Sequence, residues 1–239
     1  MQLTFEGKTI DQLAIELIQA YEPPEGYYLG FSGGKDSAVV YDLAKRSGVK
    51  FDAHYCVSPI DPPQIYKHIK KYYPDVIWDF HARGFWKLVV KKGLPMRKSR
   101  WCCEVIKEAG GLGRIILLGN RRDEGQIRRL QKCFEQHRKQ DKRFLRPIID
   151  WKFLDVWQYI EEYSLPYCEL YDMGLKRLGC VLCPFSREVK REEYYFPKIA
   201  NNWKLACDRL VEKAIASGKE YKHNFRTGQE MYDWWVARG

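Results

Sequence analysis

One hexapeptide, Ser32-Gly33-Gly34-Lys35-Asp36-Ser37, constrains what this chain can fold into more than any other stretch of it. It follows Tyr27-Tyr28-Leu29-Gly30-Phe31, a mostly apolar run that predicts a buried parallel strand, and Asp36 to Arg46 after it reads as a helix. The turn between them has almost no side chains. Its two glycines let the backbone bend sharply and bring amides close to a ligand. The following helix aims its positive dipole end and its unpaired N–H groups at the same spot. With Lys35, Ser32 and Ser37 as further donors, the segment reads as a cradle for phosphate. The plainer alternative is a tight glycine turn in an ordinary α/β protein. It is not a Walker A loop: Leu29 stands where that motif needs its first glycine, and Asp36 follows Lys35 where Ser or Thr is required.

The alternation of strand and helix continues around this turn. Ile10, Leu13, Leu17 and Ile18 recur at helical spacing between Thr9 and Tyr21, and Pro23-Pro24 with Gly26 end that helix. Phe51 to Val57 reads as a second strand, Pro62-Pro63 open a helix to about Tyr73, and Val76 to Phe80 is a short third strand. Such spacing predicts an α/β fold: a Rossmann-like, doubly wound, mainly parallel sheet with helices on both faces. Ligands of such sheets sit beyond the carboxyl ends of the strands, where Ser32 to Lys35 lie. Ile115 to Leu118 is a further buried strand, and its exit is Gly119-Asn120-Arg121-Arg122-Asp123-Glu124.

Residues 84–114 carry no clear strand pattern, and 131–143 read as an exposed, basic excursion. Phe153 to Tyr163 predicts a helix with Leu154, Trp157 and Ile160 as its apolar residues. The tail from about Glu188 reads as helical, with Trp203, Leu205, Leu210 and Val211 as a packing face and Thr227 and Glu230 opening a last capped helix. Two parts are therefore expected: a nucleotide-binding domain over 1–187 and a helical, basic and aromatic extension over 188–239.

Charge and cysteine usage narrow the function. A net charge of +10 points to an anionic partner, nucleotide or nucleic acid, or to a solvated basic surface. No apolar run is long enough for a membrane span, and the first residues lack a signal-peptide pattern, so a cytoplasmic protein is expected. Eight cysteines in a reducing compartment suggest metal or catalytic roles rather than disulfides. Four of them are paired along the chain, as Cys102-Cys103 and as Cys180-Val181-Leu182-Cys183. Two such pairs complete four-sulfur coordination. Adjacent cysteines chelate one small ion poorly, whereas an iron–sulfur cluster offers separate irons to separate thiolates. A 4Fe-4S cluster is thus the expected occupant, with zinc and free redox thiols as alternatives. Arg97, Lys98, Arg100 and Lys107 would lower thiolate pKa values there. Cys56, Cys133, Cys168 and Cys207 are isolated and read as small buried hydrophobes.

Taken together, these segments resemble a known family. The ordered set is SGGKDS, Arg100-Trp101-Cys102-Cys103, Gly119 to Glu124, Pro147 to Trp151 with Asp155-Val156-Trp157, Leu170 to Gly174, and Gly179 to Pro184. It is similar to the phosphoadenosine phosphosulfate (PAPS) reductase family over about residues 25–187, and its loop resembles the PP-loop of ATP pyrophosphatases. The Cys-Cys and CxxC pattern resembles that of adenylylsulfate reductases, which carry a 4Fe-4S cluster. The resemblance implies an adenine-nucleotide site formed by Ser32, Gly33, Gly34, Lys35, Asp36, Ser37, Gly119 and Arg122, and chemistry resting on Lys35, Asp36, Arg121 and Asp123. Cys102, Cys103, Cys180 and Cys183 would hold the metal.

Two departures matter. Sulfonucleotide reductases use a C-terminal Glu-Cys-Gly-(Leu/Ile)-His cysteine as nucleophile. Here the last cysteine, Cys207, lies in an unmatched Leu205-Ala206-Cys207-Asp208. Reductases also have a degraded loop, and this one is intact. The expectation is an enzyme that cleaves ATP, with Mg²⁺ held through Asp36, to AMP and pyrophosphate and activates an acceptor such as DNA or tRNA for sulfur insertion. A cysteine desulfurase would be a fitting sulfur donor. Adenylyl sulfate or PAPS reduction to sulfite is the rival enzyme reading, and a non-catalytic nucleotide or nucleic-acid-binding module is the third.

Overall fold

The computed structural model describes residues 7–82, 84–218 and 225–237, so His223, to which the sequence assigns no role, lies outside the described residues. Along the chain the helices are α1 (Ile10–Ala20), α2 (Lys35–Ser47), α3 (Pro63–Tyr72), α4 (Phe85–Lys92) and a short α5 (Gln126–Arg129). They are followed by α6 (Phe153–Glu162), α7 (Val189–Tyr195), α8 (Pro197–Ala216) and α9 (Gly228–Val236). No helix among the described residues is long and apolar enough to cross a membrane.

Two compact units emerge. The first comprises the described parts of Met1–Cys56, Pro63–Asp79 and Gly110–Leu178, the second those of Val57–Pro62, Phe80–Ala109 and Gly179–Gly239. The units thus divide differently from the 1–187 and 188–239 expected, because two earlier excursions of the chain pack with the tail. Their backbone ties are specific: the Val181 amide donates to the Ile60 carbonyl at 2.7 Å, and Lys213 Nζ to the Val90 carbonyl at 3.0 Å.

In the first unit the strands are β1 (Tyr27–Gly30), β2 (Phe51–Cys56), β3 (Ile77–Asp79), β4 (Ile115–Leu117), β5 (Phe134–Gln136) and β6 (Arg143–Leu145). They form one sheet in the order β3-β2-β1-β4-β6-β5, parallel except for β5 at the edge. This is a Rossmann-like, mainly parallel sheet. The chain order reverses between β1 and β4, which makes their carboxyl ends the switch point at which such sheets bind ligands.

The basic stretch 131–143 is not a mere excursion. It supplies β5 and the start of β6, paired Phe134 to Leu145; Lys132, Arg138 and Lys139 are exposed, Lys142 is buried, and Arg146 just beyond the stretch is buried with Nη1 on Glu135 at 3.0 Å. Helix α2 ends at Gly48, whose φ of +73° is the left-handed conformation glycine favours. It buries Val39 and Leu43 completely. Polar ties fix α1 and α6 to it, with Arg46 Nη1 bridging Asp11 (3.2 Å) and Tyr159 Oη (2.8 Å). The buried face of α6 is Val156, Tyr159 and Ile160, whereas Leu154, expected inside, is 69% exposed.

The second unit is helical. Trp203 of α8 is fully buried, edge-on to Phe85 of α4 and beside Trp235 of α9. Leu210 and Val211 join that core but Leu205 faces out. Thr227 caps α9, accepting from the Glu230 amide at 3.2 Å. The tail's aromatic residues are mainly core.

Candidate functional site

The hexapeptide closes β1 onto α2 in the first unit. Gly33 has a φ of +71°, and a Cβ there would lie 2.9 Å from Ile65 of α3, so the turn requires glycine twice over. Gly34, the N-cap of α2, has no side chain to offer the helix amides. The two serines spend their hydroxyls on the loop itself. Ser37 Oγ donates to the Gly34 carbonyl at 2.8 Å and accepts from the Ser32 amide at 3.2 Å, while the two Oγ atoms lie 3.1 Å apart. They brace the turn instead of pointing spare donors out of it.

Lys35 and Asp36 carry the charge. Lys35 is 4% exposed, with Nζ 2.8 Å from Asp36 Oδ2, and Asp36 Oδ1 accepts from Arg121 Nε at 2.6 Å. Arg121 is itself 2% exposed and also donates to the Trp151 carbonyl at 3.3 Å. The exit of β4 reaches the loop this closely because Gly119 has no side chain: a Cβ there would sit 2.7 Å from the Asp36 carbonyl oxygen. Both carboxylate oxygens of Asp36 therefore accept from cations. Asp123 Oδ2 accepts from the Phe153 amide at 3.0 Å and lies 3.4 Å from Arg121 Nη1, helping to fix the start of α6. Arg122 turns elsewhere, donating to the Gln131 carbonyl and the Asp150 carboxylate.

One participant was missed. Tyr171 Oη accepts from the Lys35 amide at 3.0 Å, and Lys35 Nζ stands 5.6 Å from the centre of the Tyr171 ring and 5.6 Å from that of Phe153. The Leu170 to Gly174 segment was legible as a motif, but nothing in it signals a phenol aimed at a loop so far back in the chain.

The four paired cysteines all belong to the second unit. Cys102 precedes a π-helical turn, Cys103–Lys107, and a small cavity there is lined by Ser58, Ile60, Phe85, Cys102, Cys103, Ile106, Lys107 and Cys180. Every thiol feels its neighbours. The hydrogen bond to Cys103 raises Cys102, and the same bond lowers Cys103 to about 6, with help from Arg100 Nη2 at 3.5 Å. Burial pushes Cys180 up to about 12 against the pull of Lys107. Lys107 in turn donates to both oxygens of Asp61, at 3.0 and 3.2 Å. Leu182, inside the CxxC turn, holds a left-handed φ of +57°, a strained conformation for a branched side chain. It is fixed by its amide on Glu192 Oε2 at 2.6 Å. Among the described residues no three His, Cys, Asp or Glu side chains are arranged to hold a single metal ion.

The glycine loop at the switch point of a mainly parallel sheet lies where α/β proteins of this class bind their ligands. Residues 26–186 match the family model of the phosphoadenosine phosphosulfate reductase domain, and the chain belongs to that family. An uncharacterized protein of Methanocaldococcus jannaschii is 28% identical over 230 residues, 88% of this chain and 44% of that protein. A probable FAD synthase of Schizosaccharomyces pombe is 30% identical over 166 residues (66% of this chain, 60% of that protein). Adenosine 5'-phosphosulfate reductase of Oceanobacillus iheyensis is 30% identical over 155 residues (60% and 54%). The chain thus spans less than two thirds of the length of each of these relatives. Among solved structures, a PAPS reductase from Candida auris in complex with phosphate shares the fold, with a TM-score of 0.54 and 21% identity over 75% of this chain and 97% of that one.

Proposed function

We propose that the chain is an adenine-nucleotide-activating enzyme that cleaves ATP to AMP and pyrophosphate, activating an acceptor oxygen for sulfur insertion. The observation that carries this reading is the buried Lys35–Asp36–Arg121 row against the first turn of α2. An acceptor oxygen would attack the α-phosphorus, and Lys35, the Gly33 amide and the positive helix end would stabilise the charge gathering on the leaving pyrophosphate. Asp36 holds the two cations in place, so Mg²⁺ would arrive with the nucleotide. DNA or tRNA would be the acceptor and a cysteine desulfurase the sulfur source. The relative named as a probable FAD synthase agrees with a loop that handles an adenine nucleotide.

The reductase reading requires a cysteine able to attack sulfur. Cys207 is fully buried in α8, and burial pushes its thiol up to about 12, which suits a core residue and not a nucleophile.

Cys102, Cys103, Cys180 and Cys183 would hold a 4Fe-4S cluster. Their donor set suits one: four thiols in mutual electrostatic contact, with Arg100 and Lys107 to offset negative charge. With all four ligating, such a cluster would supply structure and charge. Anaerobically purified protein should be brown, and Cys180→Ser should lose iron; a colourless protein with one zinc per chain would overturn this. The nucleotide reading is tested by pyrophosphate release from ATP and Mg²⁺, with and without bulk DNA or tRNA. Sulfite made from adenylyl sulfate or PAPS with thioredoxin, and abolished by Cys207→Ser, would overturn it.

A further inference from the structure

We infer that the Tyr171 hydroxyl is a phosphate-contacting donor, relaying one amide of the loop outward to a phosphate oxygen of the bound nucleotide. The inference rests on the nucleotide reading above and adds a residue to it.

Amides at the start of a helix are the donors that ordinarily meet a bound phosphate. Here the Lys35 amide, at the first residue of α2, is already taken by Tyr171 Oη at 3.0 Å. The hydroxyl also lies 3.3 Å from where a Cβ on Gly34 would be, so it sits against the turn itself. A phenol that accepts one hydrogen bond still has its own proton to give. Among the described residues that proton meets no acceptor, although neighbouring hydroxyls are all spent: Ser37 on the Gly34 carbonyl and Ser32 on Ser37. The loop therefore offers the Tyr171 proton where the Lys35 amide would otherwise stand.

The phenol keeps that proton. Burial raises its pKa, the Asp36 charge adds to this, and the Lys35 amide works only partly against them. The ring is also held firmly. Trp157 packs edge-on at 5.3 Å and 90°. The segment is pinned by fully buried Leu170 and by the Gly174 amide on the Tyr171 carbonyl at 2.9 Å. A hydroxyl carried by a clamped ring loses little freedom on binding, as a donor in a recognition site should. Tyr171 is partly rather than fully buried, so its proton is open to a ligand.

Calorimetric titration of the full chain with ATP, inorganic pyrophosphate and adenosine tests this. Tyr171→Phe keeps the ring and its packing. It should weaken ATP and pyrophosphate about ten- to a hundredfold, the range for a hydrogen bond to a charged group, and leave adenosine unchanged. Unchanged pyrophosphate affinity in Tyr171→Phe, with wild type binding well, would refute the role of the hydroxyl and leave the nucleotide reading standing. Tighter binding would show that the hydroxyl merely plugs the site. Wild type that binds neither ATP nor pyrophosphate would overturn both. A second arm does not depend on the variant's folding: a fluorinated tyrosine at 171, which ionises nearer neutrality, should lose pyrophosphate as pH rises while wild type does not. A flat profile with the fluorinated residue would again refute the inference.

Discussion

Asp36→Asn is the most informative single change in the loop. The carboxylate stands between Lys35 Nζ at 2.8 Å and Arg121 Nε at 2.6 Å, and the two cationic side chains are only 4% and 3% exposed. The amide that replaces it is nearly the same size, so packing is preserved and the perturbation is almost purely of charge. Lys35 would then lose its carboxylate partner, and Arg121 would keep only Asp123, 3.4 Å from its Nη1. Breaking a buried pair by removing one partner costs about 3–5 kcal/mol. Asp36 itself is 17% exposed, so water screens part of this and the lower end, about 3 kcal/mol, is expected. For a chain of this length that corresponds to a fall in Tm of roughly 6–12 °C. The loss should be recoverable, because an anion in the site would take over the role of the carboxylate. Inorganic pyrophosphate should therefore raise the Tm of Asp36→Asn by more than that of wild type. Scanning fluorimetry across a pyrophosphate titration measures both quantities. A fall of under about 1 kcal/mol, or equal stabilisation of the two proteins by pyrophosphate, would refute the account of Asp36 as the counter-ion of the row.

Other outcomes follow from the same geometry. Lys35→Ala should weaken ATP about ten- to a hundredfold by removing a charge-assisted contact, read by titration. Gly119→Ala should cost about 1–3 kcal/mol in denaturant unfolding, since its Cβ would meet the Asp36 carbonyl oxygen at 2.7 Å. His68 is 6% exposed, its Nε2 has no hydrogen-bond partner, and burial lowers it from 6.5 to about 4. Since the folded pKa is the lower one, its contribution is complete above about pH 6.5 and is lost as pH falls towards 4, by about 3 kcal/mol in all. His68→Phe, beside the rings of Tyr72 and Tyr73, should flatten stability against pH over that window.

The parts of the fold that could be read in advance are those whose residues act locally. Strand β1, the glycine turn and α2 are contiguous, and each has its own signal in apolar run, glycine pair and helical spacing. The Cys-Cys and CxxC pairs carry theirs in the same way, and their four thiols do share one electrostatic neighbourhood. Strand β5 and its turn into β6 escaped because the strands are only three residues each and the ion pair of Arg146 with Glu135 forms only once they are paired. Lys142, which looks like surface charge, is buried, so a nucleic-acid surface drawn through Lys142-Arg143 loses one of its members; Arg138 and Lys139 remain exposed. Helix α4 is only eight residues between Gly84 and Gly93, too short for periodicity to declare itself. Leu154 and Leu205 were expected inside because helical spacing identifies a stripe without saying which edge of it is covered. Tyr171 and Asp61 lay beyond reach for another reason: each meets its partner, Lys35 or Lys107, through tertiary packing alone.

The charge arithmetic of the loop bears on which anion it suits. Lys35 and Arg121 face the Asp36 carboxylate, with Asp123 Oδ2 3.4 Å from Arg121 Nη1, so two carboxylates match the two cations and the positive excess is the roughly half charge at the amino end of α2. A site with so small an excess would hold a monoanionic phosphodiester weakly and would gain most as charge builds on a departing pyrophosphate. That is the requirement for catalysis, where stabilisation must be greater in the transition state than in the ground state. Asp36 is what sets the balance. Without it the row would carry one more uncompensated positive charge, bind the intact triphosphate more tightly and give up part of that difference. Asp36→Asn should therefore lower KM for ATP and kcat together in any assay that follows pyrophosphate release. A fall in kcat with KM unchanged or raised would assign Asp36 to positioning alone and separate the charge of the row from its geometry.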